Sequence, residues 1–142
     1  MLRSAYRTDV GRVRTVNEDR VVVKEGVAGG LLAIVADGMG GHRAGDTASQ
    51  ITIELVEHAL READASGRLG KEEREASLVE AIRQANAKVF EIASLREHYR
   101  GMGTTVTVAL ADEHSVLIGH IGDSRAYYIN HEQFTQITED HT

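Results

Sequence analysis

The segment from Leu31 to His42 constrains the fold and the chemistry of this chain more than any other. It begins with six mostly apolar residues, whose length and content of leucine, isoleucine and valine are typical of a buried strand. Asp37 follows this run directly, and three of the next four residues are glycine. A strand that delivers a carboxylate into a glycine-rich turn is therefore predicted here.

A carboxylate in this position has two interpretations. Desolvating a lone carboxylate at the end of an apolar strand costs free energy unless a positive charge neutralises it. Glycines let backbone carbonyl groups approach a ligand closely, and hard divalent cations bind carboxylate and carbonyl oxygens together. The segment alone thus predicts a cation site, or else a strand-to-helix loop in which Asp37 caps the following helix.

Length and composition exclude several classes of protein. The chain has 142 residues, and we expect a single domain over residues 1–142. Its 16 basic and 22 acidic residues give a net charge of −6, which argues against general binding to nucleic acid or to an anionic membrane. The absence of cysteine excludes disulfides, thiolate metal ligands and cysteine nucleophiles. No apolar run resembles a signal peptide or reaches the roughly 20 residues of a membrane span, so we expect a cytoplasmic protein.

Hydrophobic periodicity divides the chain into strands, two helices and further strands. Two amphipathic helices, over residues 44–62 and about 72–98, have apolar residues at three- and four-residue steps, and we expect them to pack antiparallel. Segregated strands and helices favour an α+β fold, in which helices cover a mainly antiparallel sheet. The predicted strands cover residues 4–9, 21–25, 31–36, 106–110, 116–121, 126–129 and 134–137. The glycine-containing loop between the second and the third of these predicts a hairpin.

Several acidic residues lie beside predicted turns, namely Glu18, Asp19, Asp37, Asp123 and Asp140. If the sheet brings them together, they cannot all remain ionised unless cations neutralise them. Oxygen-rich sites with little histidine favour Mg²⁺ or Mn²⁺ over Zn²⁺. Two such ions can activate a water for attack on a phosphoryl group, and a nearby arginine would bind the phosphate through two hydrogen bonds.

Four motifs carry a resemblance to a known family: Arg14–Asp19, Val35–His42, Gly101–Thr105 and Gly119–Arg125. In this order, with the two helices between the second and the third, they resemble the bacterial branch of the protein phosphatase 2C family, the metal-dependent serine/threonine phosphatases. The resemblance implies an antiparallel β-sandwich flanked by helices, in four layers (αββα). It also implies hydrolysis of phosphoserine and phosphothreonine in proteins by a metal-activated water. The implied cofactors are two Mn²⁺ or Mg²⁺ ions, with a third, weaker ion in bacterial members.

The resemblance also implies metal-binding roles for individual residues. Asp37 corresponds to the carboxylate that bridges two metals, and Gly38 to the glycine whose carbonyl binds one of them. Glu18 and Asp19 correspond to an acidic pair that acts largely through metal-bound waters. Asp123 corresponds to a ligand of the third metal, although an aspartate at this point could simply shape a turn.

Two further residues correspond to groups that handle the substrate. Arg14 matches the arginine that binds the substrate phosphate, and its alternative role is a surface salt bridge. His42 lies where a family histidine is proposed as the general acid for the leaving alkoxide. It could instead be a residue at the start of a helix with no catalytic role, where the helix dipole disfavours the cationic form.

The chain departs from the family pattern in one respect. Full members continue beyond the residues that match Asp140 and His141, and that further part carries two aspartates that complete one metal site. Neither has a counterpart here, so the sandwich is expected to be incomplete at the C-terminal end. The alternative function is therefore an inactive pseudophosphatase, or a module that binds phosphoproteins or another partner.

The expected partners follow from the same resemblance. They are proteins phosphorylated on serine or threonine, with a cognate serine/threonine kinase acting in opposition. Exposed sheet edges can also pair with another chain, so self-association is expected.

Overall fold

A five-stranded antiparallel sheet is the main element of the computed structural model, which describes residues 2–40, 44–67 and 70–142. The strands are β1 (Asp19–Val27), β2 (Gly30–Met39), β3 (Gly103–Thr104), β4 (Val106–Ala111) and β5 (Val116–Ile121). Their order is β1-β2-β4-β5, and the short β3 pairs with the last residues of β2. Strand β2 is therefore central, and it ends at the segment that carries Asp37.

The hairpin between β1 and β2 sets the register of the sheet. Its two turn residues, Ala28 and Gly29, both have positive φ values of 50° and 79°, as in the type I′ turns that match the twist of paired strands. A bulge between Glu25 and Val27 precedes the turn. Beyond the bulge the pairing is regular and ends with Asp19 opposite Asp37. The hairpin predicted from the sequence is thus confirmed.

Two long helices, α1 (Ala44–Ala65) and α2 (Lys71–Leu95), cover one face of this sheet. The first half of α1 shares a buried cluster with Val89 near the end of α2, whereas Ala63 near the end of α1 lies beside Ser77 near the start of α2. The two helices therefore run antiparallel, as predicted. Among the described residues no helix combines the length and the apolar character that crossing a bilayer requires. The core lies between helices and sheet and includes Leu32, Ile34, Val56, Leu60, Leu78, Ile82, Val108 and Leu110.

The other face of the sheet is more open. Successive side chains of a strand point to opposite faces, and Ile34 belongs to the core under the helices. Val35 therefore lies on the face away from the helices, and it is 45% exposed. A separate two-stranded ribbon follows, formed by β6 (Tyr127–Ile129) and β7 (Phe134–Gln136). The antiparallel sheet and the two helices packed on it confirm the predicted α+β fold class.

Three details of the secondary structure differ from the sequence prediction. The predicted strand over residues 4–9 is wrong, because residues 2–10 have no regular structure and no strand partner among the described residues. Helix α2 ends at Leu95, and a 3₁₀ turn over Glu97–Tyr99 takes the place of its predicted last residues. Strand β3 has only two residues, too few to produce a period in the sequence.

Candidate metal and phosphate site

The two aspartates at the open end of the β1–β2 hairpin face each other. Asp19 and Asp37 are direct cross-strand neighbours, so their side chains lie on the same face of the sheet. Partial removal from solvent raises the pKa of Asp37, and the hydrogen bond and the charge of Asp19 raise it further. The charges of Asp123 and Glu18 add to this increase in the pKa. The fold therefore brings together four of the acidic residues that the sequence indicated.

Glu18 lies beside this pair and has an unusual environment. Its Oε2 atom is buried and has no hydrogen-bond partner among the described residues. Its backbone oxygen accepts hydrogen bonds from the Gly38 N–H at 3.1 Å and from the Ser49 hydroxyl at 2.8 Å. A buried carboxylate oxygen without a partner costs free energy. A cation at this position would offset that cost.

Two glycines allow the end of β2 to touch the first turn of α1. A Cβ atom on Gly38 would lie 1.9 Å from the Gly45 carbonyl oxygen, and one on Gly45 would lie 2.6 Å from the Met39 nitrogen. A Cβ on Gly45 would also lie 2.0 Å from the Glu18 Oε2 atom. Any side chain at either position would therefore separate strand and helix or displace the Glu18 carboxylate.

A polar cleft of about 280 Å³ joins these residues to Arg14. Arg14 is exposed, and it forms no ion pair within residues 2–40, 44–67 and 70–142. A guanidinium group that is free of carboxylate partners can bind a phosphate through two hydrogen bonds. The absence of an ion pair also argues against the alternative role of Arg14 in a surface salt bridge. The residues that line the cleft include Asp9, Arg14, Asn17, Glu18, Asp19, Asp37 and Gly38.

The donor set fits part of the coordination of a divalent cation. Carboxylate oxygens from two strands and the close backbone at Gly38 are the ligands that Mg²⁺ and Mn²⁺ prefer, and the unpartnered Glu18 oxygen is of the same kind. However, no group of three or more carboxylate, histidine or cysteine side chains is arranged to hold one ion in the part of the chain that the structure describes. Charges affect a pKa over longer distances than the roughly 2.0–2.6 Å of a metal–ligand bond. The neighbouring carboxylates can therefore raise the pKa of Asp37 without being close enough to bind one ion together.

The remaining predicted residues have different positions. Asp123 lies on the loop after β5 and outside the cleft lining, although its charge raises the pKa of Asp37. His42 lies outside the described residues. Asp140 pairs with Arg125 and not with the acidic residues of the cleft. Its carboxylate accepts a hydrogen bond of 2.7 Å from Arg125, which holds the pKa of Asp140 below its usual range.

The sequence interpretation did not single out two residues that support the site, Thr105 and Ser49. The Thr105 Oγ1 atom accepts a hydrogen bond of 3.0 Å from the Asp37 N–H. Ser49 is fully buried and donates to Glu18. Thr105 belongs to one of the four motifs, which could have indicated it, whereas a serine on a helix carries no comparable signal.

Comparisons with known proteins identify the family of this chain. The family model described as "Protein phosphatase 2C" matches residues 11–142. A serine/threonine phosphatase stp of Listeria innocua is 40% identical over 141 residues, which are 99% of this chain and 55% of that protein. The chain therefore spans about half the length of this curated relative.

Solved structures give the same result. The crystal structure of serine/threonine phosphatase Stp1 from Staphylococcus aureus matches with a TM-score of 0.88 and 37% identity, covering 99% of this chain and 54% of that one. The catalytic domain of the serine/threonine protein phosphatase PstP, solved in complex with two manganese ions, matches with a TM-score of 0.77 and 38% identity. It covers 94% of this chain and 54% of the PstP chain. By family model, sequence and fold, the chain belongs to the protein phosphatase 2C family.

Proposed function

We propose that this chain provides the cation- and phosphate-binding part of a phosphatase that hydrolyses phosphoserine and phosphothreonine in proteins. One observation carries the proposal. A single polar cleft contains Arg14, Glu18, Asp19, Asp37 and Gly38, so a cationic group and several carboxylates face the same space. The family and the names of its relatives support the same reaction class.

The acidic residues would hold the divalent cations. Asp37 lies opposite Asp19, which follows Glu18 in the sequence, and all three line the cleft. Their carboxylates would hold Mn²⁺ or Mg²⁺ ions together with the carbonyl of Gly38. Bound ions would supply a nucleophilic water at neutral pH and Lewis-acid polarisation of the phosphoryl oxygens. Neutralisation by a cation would also remove the mutual repulsion of the carboxylates, which otherwise raises the pKa of Asp37.

Arg14 would bind and orient the phosphate. Its guanidinium group is exposed at the cleft and pairs with no carboxylate among the described residues. A planar guanidinium forms two parallel hydrogen bonds with phosphate oxygens, which fixes the orientation of the phosphoryl group. His42 as the general acid for the leaving alkoxide stays a prediction from the resemblance.

A second candidate function has its own supporting observation. No three ligand side chains are arranged to hold one ion in residues 2–40, 44–67 and 70–142. A site with few ligands binds a cation weakly, so this chain by itself could bind phosphoproteins through Arg14 without hydrolysing them. The partners on either proposal are phosphorylated serine/threonine proteins, and a serine/threonine kinase would supply them.

Hydrolysis of a phosphothreonine peptide and of p-nitrophenyl phosphate in the presence of Mn²⁺ separates the two functions. The hydrolase proposal expects Mn²⁺-dependent turnover that falls by about two orders of magnitude or more in Asp37→Asn, because metal ions supply several kcal/mol of transition-state stabilisation. The matched control is Glu72→Gln in the first turn of α2, outside the cleft, which should leave turnover unchanged. Binding of the phosphopeptide without any turnover would support the second function and exclude the first for this chain.

A further inference from the structure

We propose that Thr105 is a positioning residue that joins the two segments bearing Asp37 and Asp123 into one unit. The inference rests on the proposed function only in so far as these aspartates bind cations. Its structural part concerns how one threonine fixes two loops that are far apart in the sequence. Thr105 contacts both segments directly, with its backbone, its hydroxyl group and its methyl group.

The first contact is a reciprocal pair of hydrogen bonds with Asp37. The Asp37 N–H donates to the Thr105 Oγ1 atom at 3.0 Å, and the Thr105 N–H donates to the Asp37 carbonyl oxygen at 2.9 Å. Thr105 lies between β3 and β4, where the ladder with β2 is interrupted, because Thr104 and Thr107 pair with β2 whereas Thr105 and Val106 do not. The threonine hydroxyl therefore takes the place of a backbone acceptor at the point where the strand pairing is interrupted.

The second contact is with the loop that carries Asp123. The Thr105 Oγ1 and Ser124 Oγ atoms lie 2.8 Å apart in a hydrogen bond. On the other side of Asp123, Gly122 has a φ value of +107°, and a Cβ there would lie 2.6 Å from the Thr105 Cγ2 atom. The residues before and after Asp123 thus both rest on the same side chain.

The side-chain type matters because both branches of Thr105 are used. The hydroxyl group bonds to Asp37 and to Ser124, and the methyl group packs against Gly122. A β-branched side chain has few χ1 rotamers, so these contacts hold each other in place. Any shift of the Asp123 loop would be transmitted to the backbone of Asp37, and the two aspartates should respond together to a change at Thr105.

Amide hydrogen exchange tests the structural part of the inference without any metal. Thr105→Val keeps the shape and removes the hydroxyl group, so exchange at the Asp37 amide should become about ten-fold faster or more, because a lost hydrogen bond of about 1.4 kcal/mol corresponds to a factor of ten. Thr105→Ser keeps the hydroxyl group and should stay within about two-fold of the unsubstituted chain on the same scale. Unchanged exchange at Asp37 in Thr105→Val, or equal effects of the two variants, would overturn the inference.

Mn²⁺ affinity, measured by isothermal titration calorimetry, tests the consequence for the site. Thr105→Val should weaken binding by about ten-fold, and Thr105→Ser should restore most of it. Asp123→Asn should weaken binding less in the Thr105→Val background than in the unsubstituted chain, because the loop is already released from Asp37. Additive effects would contradict the coupling. Failure of the unsubstituted chain to bind Mn²⁺ would overturn the proposed function, whereas the exchange measurement would still decide the role of Thr105.

Discussion

Asp19 and Asp37 lie directly opposite each other on neighbouring antiparallel strands, so the hairpin that forms the sheet also places two like charges together. Like charges directly opposite in a sheet are destabilising. On the proposed function, these two carboxylates would bind a cation in the folded chain but not in the unfolded chain. The pair of carboxylates at the end of this hairpin therefore lowers the stability of the metal-free chain, although the proposed cation site requires both of them.

Asp37→Asn should stabilise the chain when no metal is present. Removing one of two opposed charges should raise the free energy of unfolding by about 0.5 kcal/mol, within the range of cross-strand pairs. Urea denaturation in EDTA measures this difference. The matched control is Glu25→Gln, whose cross-strand neighbour Leu31 is uncharged, and it should change stability less. A destabilised Asp37→Asn would show that the carboxylate forms more favourable contacts than its raised pKa indicates.

Stability should depend on pH with a sign set by Asp37. Its pKa in the folded state is raised above the ordinary value of 3.8, so the folded chain binds more protons than the unfolded chain between these two values. The contribution of Asp37 is therefore most favourable below pH 3.8 and is lost as the pH rises through its raised pKa. Subtracting the pH profile of the free energy of unfolding of Asp37→Asn from that of the parent chain isolates the contribution of Asp37. A difference that grows more favourable to the parent chain as pH rises would contradict the raised pKa.

Mn²⁺ should reverse this destabilisation at neutral pH. An ion that binds only the folded state adds about 2.7 kcal/mol when its free concentration is one hundred times its Kd. Thermal unfolding of the parent chain should therefore shift upwards with increasing Mn²⁺, and Asp37→Asn should lose most of the shift. NaCl at equal ionic strength serves as the comparison, because Na⁺ screens charge without the affinity of a divalent cation for carboxylates. An equal shift in both proteins would place the stabilising ion elsewhere in the chain.

Parts of this site were accessible from the sequence because their signals are local. The apolar run before Asp37 predicts the central strand, and the glycine-containing turn predicts the hairpin that aligns it with Asp19. The bonds that hold the site are not local, since the contact between Asp37 and Thr105 joins residues 68 positions apart. The predicted strand over residues 4–9 failed for a related reason, because strand formation requires a partner, and composition does not reveal whether one is present.

Gly45 was equally inaccessible from the sequence, and it provides a sharp test of the contact between strand and helix. Gly45→Ala adds a methyl group that would lie 2.6 Å from the Met39 nitrogen and 2.0 Å from the Glu18 Oε2 atom. Overpacking of this kind costs about 1–3 kcal/mol, which exceeds the roughly 1 kcal/mol that alanine gains over glycine in a helix. We therefore expect net destabilisation in urea denaturation. Gly70→Ala is the control, because its Cβ would have no contact closer than 3.4 Å.

The free edge of β5 provides the final test, which concerns the predicted self-association. Strand β5 pairs only with β4 among the described residues, and Val116 at its start is 58% exposed. An unpaired edge with exposed apolar side chains can add a strand from a second chain, and a lysine on such an edge opposes this pairing. Val116→Lys should therefore reduce self-association in sedimentation velocity experiments. Val13→Lys makes the same chemical change at a residue that is 93% exposed and outside the sheet, so it should leave association unchanged. Equal effects of the two lysines would indicate that net charge, and not the β5 edge, controls association.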